Sequence, residues 1–190
     1  PGPTENLAAW GVSVAFALII ESPVIMLLSA ATAMVRDKTS YVALRRFTYT
    51  LNILLTVVMV LVLIPPVFRF LTGTLLNLPN DVAQLTYGAM VLLLPWPAAI
   101  GYRRFLQGTL VRHNMTRRVA YGTVVRMTFM ALSAGIGANF LNFSGAQVGA
   151  LALSTGVVAE AIASRLMAAG IVAELLGNRR ETNQSQELTL

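Results

Sequence analysis

Leu92-Leu93-Leu94-Pro95-Trp96-Pro97-Ala98-Ala99-Ile100-Gly101-Tyr102-Arg103-Arg104-Phe105-Leu106-Gln107-Gly108-Thr109-Leu110-Val111-Arg112-His113-Asn114-Met115-Thr116-Arg117-Arg118 is the stretch on which the reading of the chain turns. It opens as an apolar run fit for a bilayer and breaks at Pro95 and Pro97. It closes as a basic segment that holds the only histidine, His113, with Arg126 just beyond. Apolar runs of similar length lie on both sides. The expectation is a broken transmembrane helix that emerges on the cytoplasmic side.

The composition agrees. Of the residues, 56% are hydrophobic and 12% charged, with a mean hydropathy of +0.68. Soluble domains carry about 25% charged residues. This chain has too little polar surface to cover a water-facing globule, so the expected class is an all-α, polytopic transmembrane bundle with the lipid bilayer as its main partner. The net charge of +6 sits in short segments between apolar runs, where it sets topology. No aromatic-studded basic face points to nucleic acid, and no such partner is expected. The absence of cysteine excludes disulfides and thiolate-bound metal, and one histidine excludes a histidine-rich metal site. No cofactor is expected. There is no glycine-rich phosphate loop and no H-E-x-x-H motif. A serine–histidine pairing has no helical logic either, which argues against an enzyme.

Five spans are expected, over residues 7–35, 47–71, 82–102, 119–140 and 147–169. Glu21-Ser22-Pro23 interrupts the first, where Pro23 removes a backbone donor and kinks the helix. Pro65-Pro66 break the second near its far end. Pro95 and Pro97 break the third. The last is dense in Gly, Ala and Ser, which lets helix backbones approach closely. Residues 1–170 form the expected transmembrane lobe, and 171–190 read as a polar cytoplasmic tail without fixed structure. Basic residues crowd 36–46 and 103–118, whereas 72–81 carries only Asp81 and 141–146 carries no charge. That alternation predicts an N-terminus outside and a C-terminus in the cytoplasm, in the plasma (inner) membrane. An N-terminus outside, a start at Pro1 and an odd number of spans raise the expectation of a missing first helix, the alternative being a five-span protein with a cleaved signal sequence. With that helix the lobe would have six spans, half of a common twelve-helix transporter plan.

Charged residues inside these spans are the candidates for chemistry, because a carboxylate or guanidinium at mid-bilayer costs about 2.5–3.5 kcal/mol on insertion scales. Glu21 is either a proton- or ion-coupling group or half of a structural ion pair. Glu160 and Arg165 are five residues apart, about 500° of helix, which leaves them about 140° apart in rotation. Glu160 is therefore expected to meet Arg126 or Arg103 from a neighbouring span, and Arg165 to anchor at the interface. Arg103 and Arg104 follow the double-proline break. They either grip an anionic solute at a cavity mouth or supply ordinary cytoplasmic-side charge.

Tyr102 to Gly108, followed by Arg112 to Arg118, resembles a helix-loop-helix of the multidrug/oligosaccharidyl-lipid/polysaccharide exporter superfamily. Asn6-Leu7-Ala8-Ala9-Trp10-Gly11 resembles the start of that superfamily's second helix, and Glu21-Ser22-Pro23-Val24-Ile25-Met26 lies in the same element. The nearest branch is that of the progressive ankylosis protein. The resemblance covers roughly residues 6–169, as helices two to six of an amino-terminal lobe. It implies export of an anionic or amphipathic small solute, pyrophosphate-like, by alternating access. It also implies a partner, either a second lobe or a second copy. It transfers no catalytic residue to a named position. The alternative is a non-transporting membrane subunit or assembly factor.

Overall fold

A computed structural model describes residues 2–177, and they form an all-α, polytopic transmembrane bundle. Helix α1 (Pro3–Glu21) ends in a 3-10 turn, Ser22–Val24, and α2 (Leu27–Met34) continues beyond it. Pro23 sits in that turn, as expected. It has no N–H for the carbonyl of Ile19, and the Ser22 hydroxyl donates to that oxygen instead, at 3.0 Å. Helix α3 (Lys38–Leu63) starts from a reciprocal cap. Asp37 accepts from the Ser40 N–H at 2.8 Å, and Ser40 Oγ accepts from the Asp37 N–H at 3.1 Å. Pro65 ends α3. A short α4 (Pro65–Arg69) then runs into a π-helical turn, Phe70–Leu75.

Helices α5 (Asn80–Leu92) and α6 (Trp96–Arg112) make one span bent by 44°. Pro95 caps α6 and Pro97 lies in its first turn, so both fall where the helix tolerates a missing donor. Then follow α7 (Thr116–Phe140) and α8 (Gly145–Gly177). The connections after the π-helical turn, after α6 and after α7 each contain an asparagine with positive φ: Asn77 at 49°, Asn114 at 58° and Asn142 at 48°. Asparagine is among the few L residues that visit this left-handed region readily. With α1–α2 taken as one span and α5–α6 as another, five spans are long and apolar enough to cross a bilayer.

Several boundaries differ from expectation, and for one reason. Basic residues mark the membrane surface, but helix hydrogen bonding does not stop there. Arg45 and Arg46 lie inside α3, not in a loop. Arg103 and Arg104 lie inside α6, which runs on to Arg112, so the expected basic loop shrinks to the turn at residues 113–115. Helix α8 passes residue 170 and reaches Gly177. At 33 residues it is about 50 Å long, against a hydrocarbon core of about 30 Å. Its C-terminal end lies at the end of the bundle that carries Arg36, Lys38, Arg112, Arg117 and Arg118, where Lys38 Nζ donates to the Leu176 carbonyl at 3.2 Å. The tail expected over 178–190 lies outside the described residues.

The packing forms two apolar cores, one above the other. The larger gathers Ala17, Val24, Leu55, Met59, Met90, Leu93, Ile100 and Val157. The smaller lies at the basic end and gathers Val35, Tyr41, Leu44, Phe105, Leu106, Leu110 and Ile171. Small residues permit the crossings. A Cβ on Gly108 would stand 2.5 Å from the Leu28 carbonyl oxygen and from Ala31 on α2. Gly149 of α8 lies under the Trp10 ring, and Gly156 lies beside the Arg126 carbonyl of α7. Helix α7 packs mainly on α8 and turns Tyr121, Val124, Leu132 and Ile136 outward. Phe47, Ile53, Leu54 and Leu61 of α3 and Leu166 of α8 continue this exposed apolar belt, which a bilayer covers.

Candidate functional site

Where the two cores meet lies a layer of charged and polar side chains, and α6 carries it on a face that begins inside the larger core. Trp96, Ile100, Arg103 and Gln107 recur at steps of three and four residues, so they share one face of α6. The first member of this stripe meets α1, and the last two meet α8.

At the proline break, the Trp96 indole N–H donates to Glu21 Oε2, and both side chains are buried. Glu21 ends α1 one residue before the 3-10 turn, so two helix breaks lie against each other here. Among the described residues, no Lys, Arg or His nitrogen comes within 4.0 Å of the Glu21 carboxylate. The structural ion pair considered for Glu21 is not formed. Trp96 is a buried hydrogen-bond donor.

Two turns further along α6 the second carboxylate is held quite differently. Glu160 on α8 is 1% exposed. Its Oε2 accepts from Arg103 Nη1 at 2.5 Å and lies 3.6 Å from Arg126 Nε on α7. Its Oε1 accepts from Gln107 Nε2 at 3.0 Å. Three helices thus converge on one carboxylate, and both of the expected arginines reach it. Gly122 on α7 lies alongside, where a Cβ would meet Glu160 Cγ at an ordinary contact distance of 3.5 Å. The Nε atoms of Arg103, Arg104 and Arg126 have no hydrogen-bond partner among the described residues.

Of the roles expected for Arg103, the structure shows the pairing with Glu160. It is 5% exposed and directed at Glu160, not placed at a cavity mouth. Arg104, next to it, is half-buried. Arg126 is about one-third exposed at its side chain, 32%. Arg165, five residues after Glu160, is exposed and lines a separate groove between α3, α6 and α8, in keeping with the rotation between them. Gln107 was not among the candidates. The signal was available, because it stands one turn after Arg103 on the same face. The segment Phe105–Gly108 that carried the family resemblance is buried throughout. Phe105 packs against Tyr41 with tilted rings 5.3 Å apart, Gln107 binds Glu160 and Gly108 admits α2.

Comparison of the chain with family models, with curated proteins and with solved structures finds no match in any of the three.

Proposed function

We propose that this bundle is a membrane transporter, or one lobe of one, that moves an anionic or amphipathic small solute by alternating access. The observation that carries the reading is the contrast between two buried carboxylates on one face of a broken span. Glu160 is neutralised by two arginines, whereas Glu21 sits at two helix breaks with only an indole donor. Intramembrane ionisable groups are retained mainly for ion and substrate pathways, and interrupted helices line such pathways. In this reading Glu21 takes up and releases the coupling proton or ion. Arg104 and Arg126, with donors to spare, face the anionic solute or its counter-charge, and Arg103 with Glu160 holds the frame.

The family resemblance supports the same reading. As an amino-terminal lobe of the multidrug/oligosaccharidyl-lipid/polysaccharide exporter superfamily, the chain would need a second lobe or a second copy to enclose the path. Pyrophosphate is the first solute to try. The cluster of basic residues at one end supports an inner-membrane orientation with that end in the cytoplasm and the N-terminus outside.

The test is uptake of pyrophosphate and related small polyanions into vesicles containing the protein, measured against a pH gradient. Glu21→Gln should abolish the pH dependence while leaving a folded, monodisperse protein. Unchanged pH dependence would remove Glu21 from the coupling role. The second reading, a non-transporting subunit or assembly factor, is favoured by one observation: Glu160 is already satisfied by Arg103, Gln107 and Arg126. It predicts no transport of any polyanion, and tolerance of Glu21→Gln in assembly of the partner complex.

A further inference from the structure

The groove between α3, α6 and α8 is separate from the charged layer. It has a volume of about 950 Å³, near the top of the range of roughly 300–1,000 Å³ usual for small-molecule sites. Along α3 it runs from Tyr49 to Leu61, about 18 Å of helix, a little more than one leaflet's half of a core about 30 Å thick. Its two ends differ. Leu61, Val60 and Val158 at one end are wholly apolar. Tyr49, Tyr102 and Arg165 line the other, which faces the basic end of the bundle. The Tyr49 and Tyr102 rings stack there at 6.0 Å. Arg165 is exposed and has no carboxylate within 4.0 Å among the described residues.

We propose that this groove binds an anionic glycerophospholipid from the leaflet at the basic end. An acyl chain lies along Val57, Val60 and Ile162, and the headgroup phosphate meets Arg165 beside the tyrosine hydroxyls. The length matches one leaflet, and the polarity runs in the lipid's own direction from charged head to apolar tail. The unpaired guanidinium supplies the complementary charge at the depth where tyrosines are enriched. The site is independent of the transport reading and stands whether or not the bundle moves a solute.

Native mass spectrometry of the protein released from bilayers of equimolar phosphatidylglycerol and phosphatidylcholine reads the bound lipid directly. The wild type should favour phosphatidylglycerol about five-fold, the effect of one basic residue at a charged leaflet. Arg165→Gln should reduce that preference to parity, Arg165→Lys should keep most of it, and Arg117→Gln should leave it unchanged. Val57→Trp, at a position 47% exposed, fills the groove and should remove the bound lipid altogether. A preference that survives Arg165→Gln overturns the proposal. So does lipid retention in Val57→Trp, or covalent dimerisation through a cysteine placed at position 57, which would show that a second copy covers the groove.

Discussion

Replacing Glu160 with glutamine removes the one negative charge that three helices share. The Arg103 side chain is 6% exposed, and Glu160 is its only ion-pair partner among the described residues. Breaking a buried pair by deleting one member costs about 3–5 kcal/mol, because the other charge stays behind uncompensated. Gln107 can still hydrogen-bond a glutamine amide, which places the expected loss at the lower end, about 3 kcal/mol, or more than a hundred-fold in the folded ratio. Arg126 stands at 3.6 Å and is 32% exposed, so solvent screens it and Arg126→Gln should cost no more than about 1 kcal/mol. Glu160→Met combined with Arg103→Met should be more stable than Glu160→Gln alone, since an apolar pair of similar volume removes both charges together. Denaturation of the protein in mixed detergent micelles, followed by helix content, measures these three variants together with the two single methionine changes. Equal losses for Glu160→Gln and Arg126→Gln, or simple additivity of the two methionine changes, would refute the charged layer as a buried, coupled unit.

Further expectations follow from the packing and from the ends of the helices. Gly108→Ala drives a Cβ against the Leu28 carbonyl and should destabilise by about 1–3 kcal/mol, whereas Gly170→Ala, with open space around it, should be stabilising by up to about 1 kcal/mol in the same unfolding assay. The Ser40 N–H and hydroxyl hold the Asp37 carboxyl below its ordinary range. This exposed cap therefore contributes stability above the unfolded aspartate value near pH ~4. The contribution is lost as the pH falls through the lower folded value, and Asp37→Ala should flatten that acid limb of a melting-temperature profile. The chain has no cysteine, so single cysteines report topology cleanly. An impermeant maleimide should label Arg112→Cys and Arg117→Cys from one side of a sealed vesicle and Asp81→Cys and Phe143→Cys from the other, and mixed labelling would contradict the five-span arrangement.

Much of this fold was legible because bilayer burial imposes a coarse rule that composition obeys. Apolar runs of sufficient length marked all five spans, and Pro23, Pro95 and Pro97 marked the breaks, since a missing donor cannot be hidden inside a helix. The partner of Glu160 was legible from rotation alone: 140° from Arg165 leaves only neighbouring helices. What failed was the use of arginines as span ends. Arg45, Arg46, Arg103 and Arg104 all lie inside helices, because the second core at Phe105, Leu110 and Tyr41 keeps the helices packed beyond them. The Asp37–Ser40 spacing was a readable start signal for α3. The meeting of Glu21 with Trp96 was not readable, because 75 residues separate them and nothing local specifies which of the helices pack together.

The single-faced stripe on α6 has a mechanical consequence. Trp96 grips one carboxylate and Arg103 with Gln107 grips the other, so both contacts are keyed to the same shaft. A turn of α6 about its own axis by one residue, about 100°, carries both sets of donors away from their acceptors together. A rotation of α6 as a rigid body therefore acts on both contacts at once, and it links the two carboxylates without any relay of side chains between them.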